Sequence, residues 1–493
     1  MFNEGEPHEA QAAMIRADRS SEVAARASCL PLPESPADPR INGTDPIPEG
    51  GAGTEHLPDA EDRAGPQGRK NMTIQKLLAG SAVGAMMATG AMAEIVIGAS
   101  LPLTGAFSIS GEKHSQGYQL CVELINERGG INGEQVRLIT SDNRSDPATA
   151  INQYERFINV DDVDAVFGTF SSRLTFPVAN ILARNGFVHP APAGGALRIY
   201  TQGHPNLFYF QPNAAEYIGS SLTAMMQSLV AEEDRPRTAA VVVADDFFAN
   251  AVEAGLLGTQ VIDPADGSVV EDMAPGYLAE LGIEVVYTEK WPEEGFNDWL
   301  NLANSVKRSG AELIIALTAS AEEAVQVTRA LQTVRAEPKM VYYSQGTQAE
   351  FLEGTGDASE AILVHTSWHA AAPYQGVLGG QPFSNTDFVE LYQERYGAFP
   401  DEDAAIPFAV CQGIEQAIIG AGSTDNAAMG EWLYARTNDD PVRTILGRFS
   451  WDERGLPVNK PFLMAQWNGG ELQFVYPTDE FETSPLNHPK DGF

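Results

Sequence analysis

The chain has 493 residues, 43% hydrophobic and 20% charged, which leaves room for two to three domains and excludes both a small stapled scaffold and a chain disordered throughout. Its 67 Asp and Glu against 31 Lys and Arg give a net charge of −36, a long-range field that repels nucleic acids and anionic membrane surfaces. Three cysteines, Cys29, Cys121 and Cys411, with no CxxC among them, supply neither a disulfide framework nor a zinc site.

Residues 1–71 are crowded with Pro, Gly and acidic residues (PLPESPADPR, INGTDPIPEG) without a sustained period of 3.6 or 2, and read as disordered. Met72 to Lys76 then leads into LLAGSAVGAMMATGAMA, so residues 72–93 read as a secretory signal peptide: a basic start, a short apolar core and an A-x-A site before Glu94. The expectation is that translation begins at Met72, that residues 1–71 are a wrongly assigned extension, and that the mature chain from Glu94 is exported to the periplasm. The apolar run is shorter than the roughly 20 residues a membrane span needs, and no other segment is read as long and apolar enough to span.

From Glu94 the pattern alternates between short β-rich runs and amphipathic helical stretches. EIVIGAS is a predicted parallel strand and His114–Arg128 a helix stopped by Gly129 and Gly130; EQVRLIT is the next strand, and Asp146-Pro147 caps a helix running to Ile158. DAVFGTF, a helix over Leu174–Arg184 and the strand GFVHP continue the series. After FYFQPN the same grammar starts again: a helix near Tyr217–Val230, TAAVVVAD, a helix from about Asn250, IEVVY, a helix over Trp299–Arg308, ELIIAL, a helix over Glu322–Val334, KMVYYS and AILVHTS. The remainder is mostly helical (Thr386–Tyr396, Ala404–Ile419, Ala427–Ala435) and closes on RFSW, FLMAQW and LQFVYP as short antiparallel strands. Two sets of four or five strands exceed one doubly wound sheet and predict two α/β lobes.

The opening IGASLPLTGAFSISGEKHSQGYQLCVELINERGGINGEQVRLITSDNRSDPATA and the closing GRFSWDERGLP resemble the leucine/isoleucine/valine-binding family and its amide- and urea-binding relatives, the type I periplasmic solute-binding proteins of ABC importers. The resemblance spans nearly all of the chain from Glu94. It implies two doubly wound parallel-sheet lobes joined by three crossover strands, with lobe one at 94–211 and 367–455 and lobe two at 212–366 and 456–493. A small ligand would bind in the cleft, at the carboxyl ends of strands where helix N-termini offer N–H groups.

Carried over residue by residue, the resemblance places Ser171 and Ser172, after DAVFGTF and before a helix, where a ligand carboxylate binds; a plain helix N-cap is compatible with the same residues. Ala193 and Gly195 stand where relatives offer a carbonyl and a threonine, so the threonine hydroxyl is missing. Ser110 replaces a pocket tyrosine, making that wall smaller and more polar. Phe247 or Phe248 would cap the pocket, unless packed under the following helix. Gln345 stands where amino-acid binders carry the acid that receives the ammonium, and a neutral amide supplies no charge. Asp403, ahead of the helix Ala404–Ile419, is a substitute acid or simply a helix-terminal carboxylate. Trp368 would form an aromatic wall or brace the hinge.

Cys121 and Cys411 fall on predicted helices and read as buried thiols, with a disulfide between them as the alternative. GAFSISGEK has the wrong spacing for a phosphate loop, and His365 and His369 straddle a strand end, where four residues do not share a face, so neither a phosphate nor a metal site is expected. No nucleophile–base set, and hence no enzyme, and no cofactor is read from the chain. The expected function is the substrate-binding component of an ABC transporter, handing a small amino acid, amide, urea-like compound or related carboxylate to the permease. The alternative is a periplasmic sensor of the same fold signalling to a partner protein.

Overall fold

The computed structural model describes residues 94–259, 276–479 and 481–493. The expectations for residues 1–93, signal peptide included, lie outside those residues. In chain order the elements begin β1 (Glu94–Leu101), α1 (Ser108–Glu127), β2 (Gln135–Asp142), α2 (Pro147–Asn159), β3 (Ala165–Phe167), α3 (Ser172–Arg184), β4 (His189–Ala191), α4 (Leu197–Tyr200) and β5 (Leu207–Tyr209). They continue with α5 (Gly219–Leu229), β6 (Thr238–Ala244), α6 (Phe247–Leu257), α7 (Tyr277–Glu280), β7 (Glu284–Trp291), α8 (Trp299–Ser309), β8 (Leu313–Leu317), α9 (Ala321–Val334), β9 (Met340–Tyr343), α10 (Ala349–Thr355) and β10 (Ile362–Thr366). The last group is β11 (Gln375–Leu378), β12 (Gln381–Ser384), α11 (Asn385–Tyr396), α12 (Glu402–Ala421), α13 (Asn426–Tyr434), β13 (Val442–Thr444), β14 (Gly447–Phe449), β15 (Leu463–Asn468) and β16 (Glu471–Tyr476).

Two sheets organise two lobes. The first runs β2-β1-β3, all parallel, with β4 and β5 as a separate parallel pair. The break has a covalent cause. The His189 N–H and the Ala191 carbonyl face β5, bonded to the Asn206 carbonyl and the Phe210 N–H, which leaves Pro190 facing β3 with no N–H to donate. The second sheet has the order β16-β15-β10-β9-β8-β6-β7. Its middle and its β7 edge are parallel, and β15 and β16 add antiparallel strands at the other edge, as the sequence predicts. Each lobe has its own core: Ile97, Phe167, Phe388 and Phe408 in the first, Val242, Ile315, Tyr342 and Val364 in the second.

Three crossovers join the lobes, after β5, after β10 and between β14 and β15, and they are tied to one another. The Tyr209 N–H donates to the Gly455 carbonyl, Trp451 Nε1 donates to the Tyr209 carbonyl, and Ser367 Oγ donates to Gln211 Oε1.

Two expectations about lobe one are corrected. Cys121 and Cys411 are not free thiols but a disulfide joining α1 to α12 across 290 residues of sequence. The two helices pack closely enough for this because Gly117 lies against the Ala404 carbonyl, where a Cβ would come within 2.2 Å of its oxygen. Second, α12 is long and apolar enough to cross a membrane. It is instead the buried centre of lobe one, with Gln412 and Glu415 enclosed along it and bonded to the Ile445 and Gly379 N–H groups. It also starts earlier than predicted, because Asp401 rather than Asp403 is its N-cap, accepting from the Ala404 N–H.

Candidate functional site

Between the lobes lies a narrow cleft lined by residues of both. The parallel strands of both sheets aim their carboxyl ends at it, which is where loop and helix N–H groups are unpaired. From lobe one, β3 leads through Phe170 to Ser171 and Ser172, β4 leads to Ala193, Gly194 and Gly195, and α12 contributes Glu402, Asp403 and Ile406. From lobe two come Phe248 after β6, Ala319 after β8, Ser344 and Gln345 after β9, and His365 within β10.

Ser171 caps α3, its Oγ accepting from the Leu174 N–H, at φ 72° and ψ 152°. A non-glycine residue in that region costs about 1–3 kcal/mol and persists only where the surroundings impose it, commonly at ligand clamps. Ser172 Oγ accepts from the Ala196 N–H at 3.3 Å and so ties the start of α3 to the β4 loop. That loop is further fixed by Thr175 Oγ1 donating to the Ala193 carbonyl and Gln211 Nε2 donating to the Pro192 carbonyl. The result is a rigid floor of hydroxyls at the positive end of a 13-residue helix.

The acidic edge is set by α12. Asp403 is 4% exposed, and its Oδ2 accepts from Ser110 Oγ and from Gln348 Nε2, both at 2.7 Å. Both oxygens of Glu402 are engaged, Oε1 with Thr347 Oγ1 and Oε2 with Thr366 Oγ1 and the Ser367 N–H. Burial, reinforced by the neighbouring Asp403, pushes the Glu402 carboxyl up to about 8 in spite of those donors. His365, with Nδ1 on the Tyr342 hydroxyl, is pushed down to about 3 by burial and is neutral.

An apolar cluster closes the cleft from both sides: Phe107, Phe170, Leu174 and Ala193 of lobe one meet Ala319 and Phe248 of lobe two. Phe107 and Phe170 pack edge to face at 5.7 Å.

Of the residues singled out by sequence, the structure brings Ser171, Ser172, Ala193, Gly195, Phe248, Gln345 and Asp403 to the cleft. Three lie elsewhere. Ser110 is inside the first turn of α1, behind Asp403 and bonded to it. Phe247 turns away on the first turn of α6, packing on Phe176 at 5.2 Å with the Arg198 guanidinium over its ring. Trp368 sits in the lobe-one core against Phe388, its Nε1 donating to Asn385 Oδ1, and braces the crossover. Sequence reasoning passed over Phe170, Glu402 and Ile406, although the first two are immediate neighbours of singled-out residues and Ile406 lies one helical turn from Asp403. Gln211 and His365 are legible only once the crossovers are placed.

A family model described as periplasmic binding protein matches residues 94–471. An amino acid binding protein of Pseudomonas aeruginosa is 26% identical over 387 residues, covering 78% of this chain and 92% of that protein. Leu/Ile/Val-binding protein homolog 1 of Brucella abortus is 25% identical over 403 residues, 80% of this chain and 96% of its own length. Among solved structures, a leucine binding protein of Thermotoga maritima superposes with a TM-score of 0.65 at 20% identity, over 78% of this chain and 99% of that one, which shows the shared two-lobed fold.

Proposed function

The chain belongs to the periplasmic binding protein family, and from that premise we propose that it is the periplasmic receptor of an ABC importer, holding a small amino acid or related solute between its lobes and presenting the closed form to the permease. The observation that carries this reading is the cleft itself, at the carboxyl ends of both sheets, with Ser171 and Ser172 on the α3 N-terminus facing Phe248 and Gln345 across it. A carboxylate is favoured at the serines by hydroxyls and helix dipole together. The enclosing apolar cluster suits a short aliphatic or aromatic side chain. The work is binding rather than catalysis: a ligand that touches both lobes stabilises their closure, and the permease reads the closed outline. The divisions between lobes are taken at 211/212, 366/367 and 455/456, where the crossovers leave one sheet for the other, and export follows a signal peptide over 72–93.

The test is a thermal-shift screen of the purified protein against the L-amino acids, short amides, urea and aromatic acids, followed by calorimetry. A true ligand at 100 times its Kd adds about 2.7 kcal/mol to stability, a readable rise in melting temperature. Silence across the panel would remove the solute-receptor reading.

A further inference from the structure

The cleft can be read as an inventory of hydrogen-bonding groups, asking of each polar atom whether the fold already uses it. Most are used. Both Glu402 oxygens are engaged within the protein. Gln211 donates to Pro192 and accepts from Ser367. Ser344 Oγ donates to the Thr318 carbonyl. The Tyr209 hydroxyl, His365 Nε2 and Gln345 Oε1 also line the cleft, all of them neutral; the other groups that remain are few. The Ser171 and Ser172 oxygens accept from backbone N–H groups, which leaves their protons to give. Gln345 Nε2 is buried with no partner, a further donor. Against these stands one free acceptor of full charge, Asp403 Oδ1, since both partners of that carboxylate are on Oδ2.

The placement of that acceptor matters. It belongs to lobe one, on α12, and is held from below by Ser110 on α1. Lobe two, where a charged partner for an ammonium would be sought first, offers Gln345, which has none.

We propose that Asp403 receives the ammonium of the ligand, so that lobe one alone holds both poles of a zwitterion while lobe two supplies neutral groups only, the Gln345 amide and Phe248 among them. This deepens the solute-receptor reading and rests on it. Two consequences follow. The substrate class is a molecule carrying one carboxylate and one primary ammonium; a bare carboxylate would set an anion beside Asp403, and a neutral amide or urea would leave that charge buried and unanswered. And the ligand docks on open lobe one with its charges already paired, so that closure of lobe two adds neutral contacts only.

The experiment is calorimetric titration of the purified full chain with two matched pairs: L-leucine against 4-methylpentanoate, and 4-aminobutanoate against butanoate, the second pair placing the same two charges at a wider spacing. In the wild type one zwitterion should bind at least about 100-fold more tightly than its amine-free partner, the scale seen when one partner of a desolvated charge pair is removed. Asp403→Asn should lose about 100-fold for that zwitterion and nothing for the partner. Placing the charge back from the opposite lobe, in Asp403→Asn with Gln345→Glu, should recover at least tenfold, which a merely structural role for Asp403 would not. Equal wild-type affinity within each pair overturns the proposal without any variant, so it stays decidable if Asp403→Asn fails to fold. Unchanged zwitterion affinity in a folded Asp403→Asn overturns it as well. Wild-type binding of an amide or carboxylate but of no zwitterion overturns it and leaves the receptor reading intact, whereas binding of nothing on the wider panel removes the receptor reading and this proposal with it.

Discussion

The lobes meet along two seams, and the seams are built differently. On the hinge side Lys113 of α1 lies 3.3 Å from Glu350 of α10 and 3.8 Å from Asp401 of α12, with side-chain exposures of 11%, 37% and 7%. Burial works against the Lys113 charge, yet Asp401 and Glu350 outweigh it and hold the ammonium above its usual range. At the mouth Arg173 pairs with Glu293 at 3.0 Å and Glu294 at 3.3 Å, and Glu294 is 72% exposed. Water can replace the second set at little cost, but loss of a partner from the first strands a buried charge. A two-lobed receptor that must open therefore has its permanent contact at the hinge and its expendable one at the mouth.

The sharpest way to break that contrast is Lys113→Ala. It removes the only cation facing Asp401 and Glu350 among the ion pairs described and leaves Asp401 enclosed beside Asp403. Urea unfolding should show a loss of about 3–5 kcal/mol; a loss below about 1 kcal/mol would mean that water reaches the cluster and that the seams are alike. Next in size is the Cys121–Cys411 bond, which locks together the two helices that carry Lys113 and Asp401. Replacing both by serine, or reducing the wild type, should lower stability by about 2–5 kcal/mol, read as a fall in melting temperature that reductant produces in the wild type and not in the variant.

A smaller effect comes from Glu402, which links α12 to the crossover at Thr366 and Ser367 and to lobe two at Thr347. Its carboxyl is raised by burial from an ordinary 4.5 to about 8, so the folded chain keeps a proton that the unfolded chain releases. The stability it contributes is present below about 4.5, declines as pH rises through that window, and is gone above about 8. Asp246 and Glu216, each pushed up to about 7 by burial, act in the same direction. The measurement is thus a difference: between pH 5 and 8.5 the melting temperature of the wild type should fall further than that of Glu402→Gln. Parallel curves would show that Glu402 is solvated.

The fold was largely legible because periodicity and capping are local. The βα alternation from Glu94 onward and the Asp146-Pro147 cap both stand in the structure. The cleft was less so, because membership turns on rotations that a sequence does not carry. Phe247 and Phe248 differ by one step around α6, and that step sends one ring to the cleft and the other to Phe176. The sequence places Ser110 in the wall, whereas it is support, since α1 begins at Ser108 and its first turn faces Asp403. The disulfide was hidden for a different reason: two helices 290 residues apart in sequence become neighbours only when the second crossover returns the chain to lobe one. Pro190 carried a signal that went unused, because a proline inside a three-residue strand already forbids a continuous sheet through it.

The mouth supplies the smallest and most discriminating effect. Arg173 is 29% exposed at its side chain and shares its charge between two glutamates, so Arg173→Ala should cost no more than about 1 kcal/mol of global stability. What it should alter is the balance between open and closed forms. Removing a contact that exists only while the lobes touch at the mouth favours the open form by the same amount, and apparent ligand affinity falls by at most about fivefold, chiefly through faster release. Because the pair is solvent-accessible, about 0.5 M salt should reproduce the effect in the wild type and abolish the difference between the two proteins. Lys113→Ala should show no such convergence, since salt does not reach a pair at 11% and 7% exposure. If salt erased both differences the hinge seam would be as wet as the mouth; if it erased neither, Arg173 would be part of the permanent contact, and opening would have to occur elsewhere.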